Sequence, residues 1–207
     1  MLKAIQAGEI LKKGGVGVLL TDTIYGLVAP ALNKKSVERV YELKKRTPDK
    51  PCIVLISDIK DLEKFDIEIS PVEKKFLNKF WPGEISIIFE LNKKKYFYLH
   101  RGTNSLAFRV PKVLKLRKLV SSSGPLIAPS ANPEGQLPAK SIRLATKYFG
   151  SSIDFYLEGG VTTTTKPSTL IKINEMSKEI IVLRSGAISD LSIAKKIFKS
   201  WKVLSHK

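Results

Sequence analysis

The stretch GVGVLLTDTIYGL, residues 15–27, joins an apolar segment to a polar one. Residues 16–20 predict a short buried strand, and Thr21, Asp22 and Thr23 follow it directly. In open α/β sheets, ligands bind at the ends of strands, where loops bring polar side chains together. The stretch therefore predicts an α/β sheet and one wall of a binding site.

Helices and strands alternate on the C-terminal side of this stretch. Ser70, Pro71 and Glu73 form a helix start with a capping box, and Ser141 and Gly150 delimit a helix over about 142–149. Further strands are predicted over 52–56, 85–91, 105–110, 126–128, 154–157, 169–173 and 180–183. We expect a mixed α/β domain over residues 1–207, built on a large twisted open sheet flanked by helices.

The remaining segments give weaker signals. An N-terminal helix is predicted with Leu2, Ile5, Ile10 and Leu11 on its apolar face. Three more assignments complete the pattern: a helix N-cap at Ser36, a turn over 92–95 and a C-terminal helix over about 191–201. No apolar run of membrane-spanning length occurs, and residues 1–13 lack the apolar core of a signal peptide, so we expect a cytoplasmic protein with no membrane partner.

The charge balance is the unusual property of the composition. The 207 residues include 36 Lys and Arg against 19 Asp and Glu, a formal net charge of +17. Such a field attracts polyanions, including nucleotides and tRNA. A lysine-rich or thermophilic surface produces the same number. Charge alone therefore does not separate an RNA-binding protein from an ATP-dependent enzyme.

Several familiar catalytic patterns are missing from the sequence. It has no Walker A motif, no Rossmann glycine pattern after the first strand and no G-x-S-x-G elbow. His100, His206 and Cys52 are its only histidines and cysteine, which is too few for a zinc cluster. Cys52 belongs to an apolar run, which indicates a buried strand residue rather than a nucleophile.

Polar residues recur inside predicted strands or at their ends. Arg109 interrupts an apolar strand and Arg184 closes one, and a buried arginine requires an anionic partner. A structural salt bridge would satisfy either arginine equally well. Turn capping would explain Ser130, Asn132 and Ser168, and a solvated helix end would explain Lys44 and Lys45. From the residues alone, we predict a basic cleft for an anionic small molecule.

The same residues lie in blocks whose order resembles the YrdC family. The blocks are TDTIYGL (21–27), KKRTPDKP (44–51), WPGEISIIF (81–89), LAFRVP (106–111), PSAN (129–132), PSTLIKI (167–173) and LRSGAI (183–188). The resemblance covers about residues 15–188 and implies a YrdC-type α/β fold with a concave basic face. Because the chain ends soon after the last block, it is similar to the short form of the family.

The resemblance implies an activity as well as a fold. It implies synthesis of L-threonylcarbamoyladenylate and pyrophosphate from ATP, L-threonine and bicarbonate, with Mg²⁺ accompanying ATP. A partner transferase would then move the threonylcarbamoyl group onto an adenosine of certain tRNAs, and direct tRNA binding by this chain is left open. Such chemistry requires cations that hold two anions together rather than a protein nucleophile.

Roles follow from the resemblance block by block. Catalysis at the phosphates would fall to Lys44, Arg46 and Lys50. ATP contacts would come from Arg46, Lys50, Ser105, Asn132 and Arg184. Threonine contacts would come from Thr23, Arg109, Ser130 and Ser168. Tyr25 would pack against the site.

The chain departs from the family pattern at four places. Leu55 stands where many members have histidine, and Glu134 with Gly135 stands where Ser-Gly is usual. Lys140 and the segment 162–165 also differ from the usual pattern. Two alternatives stay open beside the synthase: a catalytically inactive tRNA-binding, RNA-binding or regulatory protein, which the net charge of +17 favours, and a hydrolase of a nucleotide or carbamoyl compound.

Overall fold

The computed structural model describes residues 3–162, 166–189, 193 and 201–205. Its α-helices are α1 (Ala4–Lys12), α2 (Lys34–Lys44), α3 (Pro71–Phe80), α4 (Phe97–His100), α5 (Leu114–Ser123) and α6 (Ile142–Phe149). Two 3-10 helices cover Ile59–Phe65 and Lys94–Tyr96. The predicted C-terminal helix over about 191–201 and His206 lie almost wholly outside the described residues.

The strands form one open, mixed sheet. They are β1 (Gly17–Leu20), β2 (Tyr25–Pro30), β3 (Val54–Leu55), β4 (Ile85–Glu90), β5 (Ser105–Arg109), β6 (Leu126–Ile127), β7 (Phe155–Leu157), β8 (Thr169–Asn174), β9 (Glu179–Arg184) and β10 (Lys202–Ser205). Their order within the described residues is β10-β9-β8-β4-β5-β3-β6-β2-β1-β7. The pairs β1–β7, β3–β5, β4–β8 and β9–β10 are parallel, and the other pairs are antiparallel. The mixed α/β prediction is confirmed.

Helices α3 and α6 begin where local sequence predicted. The Ser70 hydroxyl accepts from Glu73 N at 3.0 Å, and the Glu73 carboxylate accepts from Ser70 N at 2.8 Å. These reciprocal bonds satisfy two donors that a helix start otherwise leaves open. At the start of α6 the Ser141 hydroxyl accepts from Leu144 N at 3.3 Å, a single cap bond without the reciprocal one, and the C-cap of the helix is Gly150. Each cap bond joins residues only three positions apart, so the start of such a helix can be predicted from the local sequence.

Other local predictions were wrong. The α2 cap is Asn33, and Ser36 instead donates to Gly14 O at 2.7 Å. Ile5 is 80% exposed rather than packed. The segment 92–95 is not a simple turn, because a 3-10 helix begins inside it at Lys94 and α4 follows directly from Phe97. Strands β2 and β10 were not predicted.

The sheet packs against apolar clusters that include helices α1 and α5. Ala7 and Leu11 of α1 meet Leu119 and Val120 of α5 in a cluster that also contains Leu55 of β3. Burying each large aliphatic side chain stabilises the fold by roughly 1.5–3 kcal/mol. None of the helices in the described part of the chain has the length and hydropathy needed to cross a bilayer.

Candidate active site

A cavity of about 390 Å³ lies where several strand ends and loops converge. Residues of β2, β4, β5, β8 and β9 line it, together with the segments that follow β1 and β6. Seven predicted site residues share this lining: Thr23, Arg46, Ser105, Arg109, Ser130, Ser168 and Arg184. Residues scattered over most of the chain therefore meet at one place.

Arg109 lies at the end of β5 with almost no exposed surface. Its Nη1 lies 3.0 Å from Asp22 Oδ1 and donates to Thr23 Oγ1 at 3.3 Å. Asp22 Oδ2 accepts from Lys112 N at 2.9 Å, which fixes the carboxylate. Burial lowers the pKa of Arg109, and the nearby Asp22 carboxylate opposes that shift. The arginine thus has the structural ion pair considered above and also borders the cavity.

The polar segment after β1 forms a tight hydrogen-bonded turn. Thr21 Oγ1 donates to Ile24 O at 2.7 Å and accepts from Thr23 N and Ile24 N, each at 3.2 Å. Such hydroxyl-to-backbone bonds hold a turn in one conformation. The turn presents Thr23, which is 5% exposed, beside Arg109.

Arg184 and Ser168 are joined across the β8–β9 region. Arg184 Nη2 donates to Ser168 O at 2.8 Å, and Ser168 Oγ lies 2.8 Å from the buried Ser86 hydroxyl. Gly186 makes this approach possible, because a Cβ there would lie 2.3 Å from Pro167 O and 2.6 Å from the Ser168 carbonyl carbon. Only glycine allows so close a backbone contact.

Three guanidinium groups give the cavity its charge. Arg46 is held by bonds from Nε to Lys50 O at 2.9 Å and from Nη2 to Pro51 O at 3.1 Å. Desolvation lowers the pKa of Arg184, and repulsion from Arg109 and Arg46 adds to the shift. Within the described residues, neither Arg46 nor Arg184 forms an ion pair with a carboxylate. A bound anion would relieve this repulsion.

Lys44 does not line the cavity. It is 2% exposed, and its Nζ donates to the carbonyl oxygens of Ser130 and Asn132, each at 2.5 Å. Burial, and secondly the charge of Arg46, lowers its pKa to about 8. As the structure stands, its ammonium supports the PSAN segment, and a direct contact with phosphate stays a prediction.

Lys50 and Asn132 also lie outside the lining. Lys50 is exposed and pairs with Glu134 at 2.7 Å. Asn132 is 7% exposed, and its Nδ2 donates to Pro133 O and Gln136 O at 2.9 and 2.7 Å. Its Oδ1 is buried with no hydrogen-bond partner among the described residues.

Four other residues considered in the sequence have different surroundings. Leu55 is fully buried in the apolar cluster beside α1 and α5 and does not line the cavity. Lys140 is exposed. The Tyr25 hydroxyl donates to Gly160 O at 2.5 Å, so it fastens the segment after β7. Cys52 is 4% exposed at the cavity wall, and burial raises the pKa of its thiol.

The cavity does not offer a built metal site. Its lining includes no Asp or Glu, and no cluster of three metal-binding side chains occurs in the part of the chain that the structure describes. Mg²⁺ prefers carboxylate, phosphate and water oxygens. The residues present therefore do not fit a resident ion held by protein alone.

Sequence reasoning missed Asp22, Ser86 and Glu134. Asp22 lies inside a block quoted above, but its partner Arg109 is 87 positions away along the chain. Ser86 occupies an apolar strand and turns to Ser168. The only sequence signal for Glu134 is that it departs from the family pattern.

The protein is thus an α/β protein with an open mixed sheet and a cavity lined by arginines and hydroxyl groups, a donor set that suits small anions. The Sua5/YciO/YrdC family model, described as telomere recombination, matches residues 9–186. A putative threonylcarbamoyl-AMP synthase of Methanocaldococcus jannaschii is 33% identical over 191 residues, covering 90% of this chain and 89% of the relative. This chain belongs to the Sua5/YciO/YrdC family.

Solved structures agree with the family. Pyrococcus abyssi Sua5 complexed with L-threonine matches with a TM-score of 0.86 at 28% identity, covering 98% of this chain and 60% of that one. Escherichia coli YciO matches with a TM-score of 0.78 at 22% identity, covering 92% of each chain, which supports the fold alone. This chain therefore spans about 60% of the length of that Sua5 chain.

Proposed function

We propose that this chain is an L-threonylcarbamoyladenylate synthase that uses ATP and L-threonine and serves the threonylcarbamoyladenosine modification of tRNA. The synthase name of the Methanocaldococcus relative and the L-threonine complex of Pyrococcus abyssi Sua5 support the activity and the amino acid. Bicarbonate as the carbon source, the downstream transferase and direct tRNA binding are parts of the same proposal.

One observation carries the assignment of substrates to residues. Three arginines from separate parts of the chain share one cavity with six hydroxyl side chains, among them Thr23, Ser105, Ser130 and Ser168. Guanidinium groups bind carboxylate and phosphate through paired hydrogen bonds, and hydroxyl groups can donate or accept. This donor set suits a triphosphate and an amino acid carboxylate held side by side.

We assign ATP to one side of the cavity. Arg46 and Arg184 would contact its phosphates, with Lys50 and Lys44 near the same region, and Ser105 would contact the nucleoside. Asn132 would use its unpartnered Oδ1 as an acceptor for the nucleotide, since a buried oxygen without a partner carries a desolvation cost that a ligand donor removes.

We assign threonine to the neighbouring part of the same cavity. Arg109 would bind its carboxylate, because burial strengthens a charged hydrogen bond and Asp22 holds the guanidinium in place. Thr23, Ser130 and Ser168 would contact its polar groups. A fixed orientation of both substrates converts an encounter of two anions into a reaction within one complex.

The reaction then needs positioning more than acid–base chemistry. The threonine amine adds to bicarbonate with loss of water and gives a carbamate. A carbamate oxygen attacks the α-phosphorus of ATP in line, and the bond to pyrophosphate breaks. Arg46, Arg109 and Arg184 would offset the repulsion between the two anions as they approach. Mg²⁺ would arrive bound to the triphosphate, because the cavity lining contains no carboxylate.

Pyrophosphate release tests the function. Incubation with ATP and bicarbonate should release pyrophosphate only when L-threonine is added. Arg46→Ala should lower kcat/KM at least about a hundredfold, because it removes a cation from the transition state. Arg143→Ala is the matched control, since Arg143 is exposed on α6 and does not line the cavity.

Each alternative predicts a different result in that assay. Nucleotide breakdown without threonine would indicate a hydrolase. No turnover together with tight, salt-sensitive tRNA binding would indicate an inactive RNA-binding protein. Full activity of Arg46→Ala would remove Arg46 from the proposed site while leaving the synthase function intact.

A further inference from the structure

Three donors converge on the Glu134 carboxylate. Lys50 Nζ lies 2.7 Å from Oε1, Thr47 N donates to Oε2 at 2.5 Å, and Thr47 Oγ1 donates at 2.9 Å. The donors come from the KKRTPDKP segment, whereas the acceptor follows PSAN. The Glu134 side chain, from the loop that follows PSAN, therefore lies among donors of the KKRTPDKP segment.

This donor set is one that proteins use for phosphate. It combines a backbone N–H, a hydroxyl and an ammonium group, all of which donate to anions. Arg46 directly precedes Thr47 and lines the cavity, whereas Thr47 and Lys50 do not. The donors of Thr47 and Lys50 therefore belong to the same segment as a cationic residue of the cavity. Lys50 is the largest cause that lowers the pKa of Glu134 to about 2, with the Thr47 donors next, so the carboxylate is ionised at any working pH.

Backbone contacts hold Glu134 in this position. Glu134 N donates to Lys44 O at 2.7 Å, and Lys44 Nζ donates to the carbonyls of Ser130 and Asn132. Tyr41 Oη donates to Lys50 O at 2.8 Å and fixes the opposite loop. Both backbones are anchored, so the contact between them can be exchanged by rotating side chains.

We propose that Thr47 and Lys50 form a subsite for the terminal phosphates of a nucleoside triphosphate, and that Glu134 occupies this subsite as an intramolecular competitor until the nucleotide binds. The inference rests on the proposed function and adds to it a residue that weakens ATP binding. The Glu134 carboxylate binds these donors only weakly, because solvent screens an exposed ion pair. A triphosphate brings more charge to the same donors and can displace it.

The competing explanation is that Glu134 clamps the two loops in the shape that ATP needs. The two explanations predict opposite changes in affinity. Glu134→Ser removes the carboxylate and introduces the residue that the family usually carries at this position. If Glu134 competes, the KM for ATP should fall about three- to tenfold while the KM for threonine stays the same. An unchanged or higher KM for ATP would overturn the competition.

Glu9→Gln is the matched control. Glu9 forms an exposed pair with Lys12 at 2.7 Å on α1, the same length as the Lys50–Glu134 pair, and neither residue lines the cavity. The Glu9→Gln substitution removes one negative charge and leaves the proposed subsite of Thr47 and Lys50 unchanged. A fall in the KM for ATP in this control as well would mean that overall charge, rather than Glu134, is responsible, and would overturn the proposal.

Calorimetric binding of a non-hydrolysable ATP analogue separates this inference from the proposed function. It needs no turnover, and Glu134→Gln provides a second variant that keeps the side-chain size. Wild type that binds no analogue and releases no pyrophosphate would defeat the proposed function. Wild type that binds the analogue as tightly as both variants would defeat only the role of Glu134. Tighter binding by either folded variant supports it.

Discussion

Lys44 shows how a single buried charge can shape a site that it does not enter. An ammonium group loses most of its hydration when it is buried, and hydrogen bonds must replace that hydration. Carbonyl oxygens of Ser130 and Asn132, each 2.5 Å from Nζ, replace part of it. The same bonds fix the backbone that presents the Ser130 hydroxyl to the cavity. We therefore interpret Lys44 as a positioning residue.

Lys44→Met should destabilise the protein and disturb the site together. Methionine keeps the length of the side chain but leaves the Asn132 carbonyl without this donor, at a cost of about 1–3 kcal/mol. Denaturant unfolding measures that cost, and the KM values for ATP and threonine should both rise several-fold. Lys35→Met on the exposed start of the same helix should change neither quantity. Normal KM values in a destabilised Lys44→Met would contradict the positioning role.

The lowered pKa of Lys44 gives a second, pH-dependent prediction. In the folded protein this pKa is about 8, against an ordinary value of 10.5. Between these values the unfolded chain holds the proton that the folded protein has released, so the free energy of unfolding rises with pH across that window. A shift of this size corresponds to about 3 kcal/mol. The stability difference between wild type and Lys44→Met should widen from pH 7.5 to pH 10, and a constant difference would place Lys44 in a wetter environment.

At the same scale, sequence could identify residues but not their partners. Arg109 and Arg184 were predictable because a charge inside an apolar strand is costly unless an anion is near. The role of Asp22 was not predictable, because no residue near it in the sequence indicates that its carboxylate lies 3.0 Å from the Arg109 guanidinium. Lys44, Lys50 and Asn132 were placed at the cavity by resemblance, yet none of them lines it in this structure.

At the scale of elements, the site depends on how closely β9 and the segment after it approach the start of β8. Ala187 N donates to Pro167 O at 2.8 Å, and Arg184 Nη2 reaches Ser168 O at 2.8 Å. Gly186 lies between these contacts. Two proposed substrate residues, Arg184 and Ser168, therefore hold their relative position through a glycine that makes no contact with substrate.

Gly186→Ala should open this contact. The new methyl carbon would lie 2.3 Å from Pro167 O, so the backbone must shift, at a cost of about 1–3 kcal/mol. We expect kcat/KM to fall about tenfold or more as Arg184 and Ser168 separate, measured by pyrophosphate release. Gly8→Ala in α1 is the control, because its Cβ would meet neighbours at an ordinary 3.4 Å. Equal activity of the two variants would show that the approach is not needed.

Elements with local signals were predictable and those defined by distant partners were not. Helices α3 and α6 carry their own caps. Strand β2 has the sequence YGLVAP, in which glycine and proline disfavour strands, and it forms by pairing with β1 and β6. No helix was predicted over 97–100, where α4 forms, and Tyr98 Oη of this helix donates to Ala31 O, in the segment that precedes α2.

At the scale of the whole molecule, the net charge of +17 acts on the two proposed substrates differently. ATP is a polyanion, whereas threonine is a zwitterion with no net charge near neutral pH. Long-range attraction therefore favours ATP and adds to the local effect of the three cavity arginines. Salt screens this attraction over roughly 10 Å at 0.1 M ionic strength.

Raising the salt concentration should consequently weaken ATP binding more than threonine binding. Between about 0.05 and 0.5 M KCl, we expect the KM for ATP to rise at least about threefold and the KM for threonine to change less than about twofold. Threonine approaches without net charge, and its carboxylate would meet Arg109 in a buried site that salt screens poorly. Circular dichroism at both salt concentrations checks that the fold is unchanged. A parallel rise in both KM values with an intact fold would mean that the charge of this chain does not select ATP, and its excess of lysine would then need a different anionic partner.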